Sequence, residues 1–274
     1  MTRRFGHFET HLLRDGVFSA PADVLTHVDG EASRRQAIER LGKPEIQIDV
    51  NCFLLRSADG ITLIDTGAGT IWGPTFGQSR LAMSELGIEP ALVDRVLLTH
   101  LHADHALGLF DGDAAFFPNA EIWVPDVDLA YFTDASALEA TPEAGRSPFA
   151  IASQLRQLYG NRIRAIGAGP VLDGIEAWSL PGHTPGHTGY LLHDPVRSLM
   201  TWADTLHLAE IQPGDPATGL AFDLDPATAA RTRLSLLEQA ADAGWVVAGS
   251  HITGFNRVER AGNAFRIVPD ENPA

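Results

Sequence analysis

The sequence contains a single cysteine, Cys52. One thiol closes no internal disulfide, so no covalent crosslink braces the fold. It sits in the apolar run Val50-Asn51-Cys52-Phe53-Leu54-Leu55, where a small buried side chain suits it better than a catalytic thiol. Long hydrophobic runs are missing, and none approaches the roughly 20 residues of a membrane-spanning helix. The basic start, Met1-Thr2-Arg3-Arg4, is followed by no apolar segment of the kind that a secretory signal carries. A cytoplasmic location is therefore expected. Positive charge is also scarce, with 20 Lys and Arg against 35 Asp and Glu, for a formal net charge of -15. That balance repels phosphate backbones and anionic bilayers, which disfavours nucleic-acid and membrane partners. No internal repeat or low-complexity tract appears.

What is present is an ordinary globular composition, 45% hydrophobic and 20% charged, over a length able to bury a large core. Residues 32–41 read as a helix with Ala37, Ile38 and Leu41 turned inward. Residues 46–55 and 61–65 read as strands around the hairpin signal Ala58-Asp59-Gly60. A helix over 79–86 is stopped by Gly87. Short strands follow at 96–98 and 121–124, helices at 127–132 and 151–159, and a surface loop at 133–148. Later strands fall at 175–180, 188–192, 198–203 and 245–248, with a final hairpin around Ala261-Gly262-Asn263. Between them lies the clearest helix. Asp225 can cap it, Pro226 takes its first position, Gly244 ends it, and its Leu234, Leu237 and Ala241 have the spacing of a core face. Strands and helices interleave, which predicts an α/β fold with two mixed sheets covered by helices in four layers. No composition break divides the chain, so a single domain over 1–274 is expected, with residues 1–45 as an N-terminal extension.

The chemistry is concentrated in Thr99-His100-Leu101-His102-Ala103-Asp104-His105, directly after the apolar run Arg95-Val96-Leu97-Leu98. Packing needs no such group at a strand end. Imidazole nitrogen and carboxylate oxygen suit zinc, and also iron or manganese. In extended chain His100, His102 and Asp104 share one side while His105 falls on the other. Four donors so close together crowd a single tetrahedral ion, so the spacing points to two metals. Other donors stand at other strand ends: His183 and His187 in Pro181-Gly182-His183-Thr184-Pro185-Gly186-His187, Asp204 after 199–203, and His251 in Gly249-Ser250-His251. Taken singly, a histidine at a strand end is more often a hydrogen-bonded polar residue. Either His183 or His187 could be the ligand, with the other donating to it. Taken together, these donors describe a site along one edge of a sheet pair.

The series His100-x-His102-x-Asp104-His105, then His183, Asp204 and His251, resembles the ligand series of the metallo-β-lactamase superfamily. Asp65 in Leu63-Ile64-Asp65-Thr66-Gly67 resembles that family's supporting aspartate. The resemblance implies an αββα four-layer sandwich with two Zn2+ per chain, iron, manganese or cobalt being alternatives. Carried over by position, it implies that His100, His102 and His183 hold one ion. Asp104, His105 and His251 would hold the other, with Asp204 bridging and His187 outside the ligand set. Within the superfamily, Asp65-Thr66-Gly67-Ala68-Gly69, Trp72-Gly73-Pro74-Thr75-Phe76-Gly77, Phe117-Pro118-Asn119-Ala120 and the stretch from Gly262 to Pro269 resemble the methyl parathion hydrolase branch, which borders the acyl-homoserine lactonases. Those lactonases carry a tyrosine three residues after the bridging aspartate. Here His207 takes that place.

Such a site needs no protein nucleophile. Two cations about 3.5–4 Å apart acidify a shared water, and the resulting bridging hydroxide attacks a carbonyl or phosphoryl centre. Asp104 is a candidate to accept or relay a proton, and His207 a candidate to protonate the leaving oxygen. The resemblance puts Trp72, Phe132 and Phe149 near the pocket mouth, where aromatic side chains would hold an apolar group. No arginine or lysine cluster accompanies the ligands, which disfavours substrates bearing carboxylate or polyphosphate. The expectation is a zinc-dependent hydrolase of a small neutral lactone or carboxylic ester. An aryl phosphotriester (organophosphate) hydrolase is the alternative, and a thioester hydrolase like glyoxalase II a more distant one. Resembling enzymes are often dimers, so a homodimer is expected, with residues 1–45 as a candidate contact.

Overall fold

Strands and helices alternate along most of the chain, and the computed structural model describes residues 1–271. The strands begin with β1 (Thr2–Phe5), β2 (Phe8–Pro21), β3 (Leu25–His27), β4 (Glu45–Ser57), β5 (Gly60–Ile64) and β6 (Arg95–Leu97). They continue with β7 (Phe110–Asp111), β8 (Ala114–Ala115), β9 (Glu121–Pro125), β10 (Ile163–Ile166), β11 (Gly169–Leu172) and β12 (Ile175–Ser179). The last six are β13 (Thr188–Leu192), β14 (Leu199–Thr201), β15 (Thr218–Leu220), β16 (Val246–Gly249), β17 (Ile252–Ala261) and β18 (Ala264–Pro269). The helices are α1 (Glu31–Leu41), α2 (Gln78–Glu85), α3 (Ala103–Ala106), α4 (Asp126–Tyr131), α5 (Ala135–Ala140), α6 (Ser147–Tyr159) and α7 (Pro226–Ala243). Among the described residues no helix is long and apolar enough to cross a membrane.

Two seven-stranded sheets carry the fold. The first has the order β1-β2-β4-β5-β6-β9-β10, the second β11-β12-β13-β14-β16-β17-β18. Both are mixed, as expected. In the first, β5, β6, β9 and β10 run parallel while β4 and β5 form an antiparallel hairpin. In the second only the β14–β16 pair is parallel. Parallel strands are covered on both faces and so read as continuous apolar runs rather than alternating ones. This is why 95–98 and 245–248 were legible as strands.

The chain divides into two compact units, Met1–Gly16 with Val50–Ala168, and Val17–Asp49 with Gly169–Ala274. In the first, Val96, Ile122 and Val124 from the strands and the adjoining Leu98 pack with Phe149, Ile151 and Leu155 of α6 and with Phe132 at the end of α4. In the second, Met200, Trp202 and Val247 pack with Leu236, Leu237 and Ala240 of α7, and Ala37 and Ile38 of α1 pack with Ile46 and Ile48.

Three local readings change. Residues 1–45 hold β1, β2 and β3 besides the expected helix; Asp15 and Gly16 interrupt the alternation that would have marked the 14-residue β2 in the sequence. The expected surface loop at 133–148 contains α5, started by Asp134, whose carboxylate accepts the Ala137 N–H at 2.8 Å. On α7 the buried stripe is Ala229, Arg233, Leu236, Leu237 and Ala240, while Leu234 is 42% exposed. Those positions have helical spacing, but the stripe includes an arginine, a residue type that is almost never fully buried unless paired.

Candidate metal centre

In the first unit, register places the donors. Ile64, Leu97 and Trp123 pair across β5, β6 and β9, so β5 and β6 end level while β9 runs two residues further. Asp65 follows the first end, and Thr99 and His100 follow the second. Asp65 takes a left-handed backbone conformation, φ 58°, a strain that aspartate tolerates better than most residues. Its buried carboxylate is fully engaged. One oxygen accepts the Thr99 N–H at 2.8 Å, and the other accepts Thr99 Oγ1 at 2.8 Å and His105 Nδ1 at 2.8 Å. Thr66 returns the grip, its N–H and Oγ1 both donating to the His105 carbonyl at 2.8 Å. His105 lies on α3, with Nε2 3.5 Å from an Asp104 oxygen. The His100 ring lies 4.6 Å from that of His102 and 4.0 Å from that of His105. His100 and His105 are buried, His102 and Asp104 half-buried. Asp15, missed in the sequence, braces the loop after β5 by accepting the Ala68 N–H at 2.9 Å and bonding Ser79.

In the second unit, β12, β14 and β16 run the same way and β13 runs against them. The β12–β13 loop therefore shares an edge with the ends of β14 and β16. That loop carries His183 and His187, Asp204 follows β14, and His251 follows β16. Three imidazoles converge on one oxygen there. Asp204 Oδ2 lies 3.1 Å from His183 Nε2, 3.2 Å from His207 Nε2 and 3.0 Å from His251 Nε2. Asp204, His207 and His251 all offer ligand atoms within 4.8 Å of one another.

The far ring nitrogens sort these histidines by role. His183 Nδ1 faces Asp223 Oδ1 at 2.9 Å, and His251 Nδ1 faces the Asp49 carbonyl at 2.6 Å. With the proton on Nδ1, a neutral imidazole presents its Nε2 lone pair. Two such lone pairs against a carboxylate oxygen repel unless a cation stands between them. Zinc bonds of about 2.0–2.1 Å in a tetrahedron set donor atoms about 3.3 Å apart, close to the spacing found. The donor set fits a divalent ion. His187 differs: Nδ1 donates to the Leu180 carbonyl at 2.8 Å, and Nε2 accepts the Asp204 N–H at 3.0 Å. Both its nitrogens are used, so His187 orients Asp204 and leaves no lone pair turned to an ion. His207 differs again, its buried Nδ1 having no hydrogen-bond partner among the described residues.

Burial opposes charge on His183, yet Asp204 and Asp223 outweigh it and raise its pKa to about 9. Burial likewise opposes charge on Asp223, but His183 and Arg233 hold its pKa down to about 2. For His207 burial wins over Asp204 and lowers the pKa to about 4.

Residues 47–251 match the family model described as the metallo-beta-lactamase superfamily. The chain belongs to the metallo-β-lactamase superfamily. A curated relative, the probable metallo-hydrolase YqjP of Bacillus subtilis (strain 168), is 30% identical over 159 residues. That match covers 51% of this chain and 47% of the relative, so the chain spans about half the length of that relative. Among solved structures, the hydrolase AbOPH of the beta lactamase superfamily superposes with a TM-score of 0.88 at 24% identity, covering 100% of this chain and 98% of that one. AidC, described as a dizinc quorum-quenching lactonase, gives a TM-score of 0.86 at 22% identity, covering 99% of this chain and 97% of that one. At those identities the likeness carries the fold alone, and it agrees with the two mixed sheets and flanking helices of this metallo-β-lactamase superfamily member.

The aromatic candidates are placed less simply. Phe132 and Phe149 are buried in the core of the first unit, ring centroids 5.2 Å apart at 83°. Trp72 is 38% exposed and packs edge-on against Phe76 at 5.4 Å. Sequence reasoning also missed Asp223 and Arg233. Neither lies in a motif, and an arginine on an amphipathic helix normally signals solvent.

Proposed function

We propose that this chain is a metal-dependent hydrolase of a neutral lactone or carboxylic ester, working with two zinc ions. The observation that carries this reading is the convergence of His183 and His251 on Asp204 Oδ2, each with its other ring nitrogen committed to an acceptor. Membership of the superfamily and the fold likeness to AidC, a dizinc lactonase, support it. The ligands proposed are His100, His102, Asp104, His105, His183, Asp204 and His251. Zinc bound by such donors acidifies coordinated water and polarises a carbonyl oxygen.

The residues around the ligands hold them ready. Asp65 fixes His105, and the Thr99 hydroxyl, which donates to Asp65, can accept from His100 Nδ1 at 3.0 Å. His187 fixes the backbone of Asp204. Partners of this kind orient the ring and raise ligand basicity. Asp104 is proposed to take up the proton released at the site, as a half-buried carboxylate beside His105. His207 is proposed to act at the leaving oxygen. The surplus of acidic residues favours uncharged substrates.

The test is a substrate panel run on zinc-loaded enzyme: lactones of several chain lengths, p-nitrophenyl esters, aryl phosphotriesters and a glutathione thioester. The highest kcat/KM is expected for a lactone or ester. A clear preference for phosphotriester or thioester would overturn this substrate class while leaving the metal reading intact. A homodimer and a cytoplasmic location are also proposed. A light-scattering mass near one chain would refute the dimer.

A further inference from the structure

Helix α7 buries one cation. Arg233 is 1% exposed. Its Nε donates to the Thr205 carbonyl at 2.7 Å, and Nη1 donates to the carbonyls of Pro216 at 2.7 Å and Thr218 at 2.9 Å. Nη2 lies 3.4 Å from Asp223 Oδ2. The other oxygen of that carboxylate meets His183 Nδ1 at 2.9 Å. The chain just beyond Asp223 holds the backbone of the same loop, through Leu224 N–H to the His183 carbonyl at 3.1 Å and Asp225 N–H to the Gly182 carbonyl at 2.9 Å.

Packing alone does not call for this arrangement. Desolvating a guanidinium and a carboxylate is costly, and an apolar pair of similar volume is often as stable or more so. Nor is Arg233 the only donor available to the loop, since Gln212 Nε2 also reaches the Thr218 carbonyl at 3.2 Å. What an apolar residue cannot supply is orientation. A guanidinium is a rigid planar fork. With two arms anchored on three carbonyls, its third holds one face of the Asp223 carboxylate and turns the other to His183.

We propose that Arg233 is a positioning residue for metal binding, acting through Asp223 to hold His183 with its Nε2 lone pair presented. This rests on the reading of His183 as a ligand. It also makes the segment from Thr205 to Asp223 a pinned wall beside His183, because one guanidinium ties its start, middle and end.

The test is zinc affinity of the full chain, measured by competition with a chromophoric chelator after stripping, with urea unfolding of the metal-free protein alongside. D223N and R233M are each expected to weaken zinc binding 10–100-fold, the usual effect of losing a ligand's supporting partner. R233K, which keeps the charge but not the fork, should recover part of the loss. The decisive comparison is the double variant. If Arg233 works through Asp223, R233M/D223N binds zinc about as weakly as D223N alone, whereas independent effects multiply. Multiplying effects, or wild-type affinity in R233M, overturn the proposal. Should R233M fail to fold, R233K, D223N and R233K/D223N complete the same cycle with the buried charge retained. Wild-type protein that takes up no zinc, iron(II), manganese(II) or cobalt(II) overturns the metal reading itself, and this inference with it. Wild-type protein that binds metal while the cycle is additive overturns this inference alone.

Discussion

At the scale of single residues, the buried polar groups decide what the candidate ligands can do. Asp65 accepts three hydrogen bonds within the first unit. Asp65→Ala removes that acceptor and strands buried donors at about 1–3 kcal/mol each. The expected outcome is a stability loss of about 3 kcal/mol by urea unfolding, with zinc affinity falling 10–100-fold. Tyr159 offers a test free of the metal. Its hydroxyl donates to the Leu109 carbonyl at 2.7 Å and accepts the Phe117 N–H at 3.3 Å. Burial pushes its pKa up to about 12. The folded state therefore holds this proton more tightly than the unfolded chain, which releases it near pH 10. The stabilisation is complete below pH 10 and is lost as pH rises through 12, about 2–3 kcal/mol in all. Tyr159→Phe should flatten that part of the stability profile, and cost about 1–2 kcal/mol at neutral pH. An alkaline limb as steep as wild type would refute this.

At the scale of elements, strand ends and loops set the geometry. The β12–β13 loop runs against the first turn of α7 so closely that a Cβ on Gly182 would meet the Ala229 backbone nitrogen at 2.2 Å. Gly182 also holds φ 127°, a conformation strained for any other residue. Gly182→Ala should cost about 3 kcal/mol in thermal or urea unfolding and weaken zinc binding by displacing His183. An alanine variant with both properties unchanged would mean that the loop has room to move. Element types were largely legible beforehand. The β4–β5 hairpin, α2, α6 and α7 follow from turn residues, caps and apolar spacing, all of which act over a few neighbouring residues. The strand β2 was not, because its inward residues are interrupted by Asp15, whose partners Ala68 and Ser79 lie more than 50 positions away. The orientation of α7 was not either, since Arg233 faces inward only because carbonyls from a distant loop receive it.

At the scale of the whole molecule, charge and metal linkage govern behaviour. Anything that binds only the folded state stabilises it, by about 2.7 kcal/mol at a hundredfold excess over Kd. Chelation should therefore lower the melting temperature, and restoring zinc should raise it in a concentration-dependent way. An unchanged melting temperature after verified metal loss would argue against linkage. The formal charge of -15 repels anions over a Debye length of about 8 Å at physiological salt. A substrate with an added carboxylate should show a lower kcat/KM than its neutral analogue, with the gap narrowing as salt rises. A gap insensitive to ionic strength would place the discrimination in the pocket instead.

The sequence by itself determined the donors and their order. His100, His102, Asp104 and His105 stand within six positions after an apolar run, and local spacing of that density has few uses besides metal. It also placed His183, Asp204 and His251 at strand ends, because strands announce themselves through nearby residues. What the tertiary structure alone supplied is the physical reason for reading one imidazole rather than another as a candidate ligand. His183 and His187 look equivalent in Pro-Gly-His-Thr-Pro-Gly-His. The family resemblance parts them, and the reason shows only in the fold, where His183 meets Asp223, 40 residues on, and His187 meets the Leu180 carbonyl and the Asp204 N–H. A ring nitrogen's role is set by what its other nitrogen bonds to. That partner is chosen by the folded chain, and spacing carries no record of it.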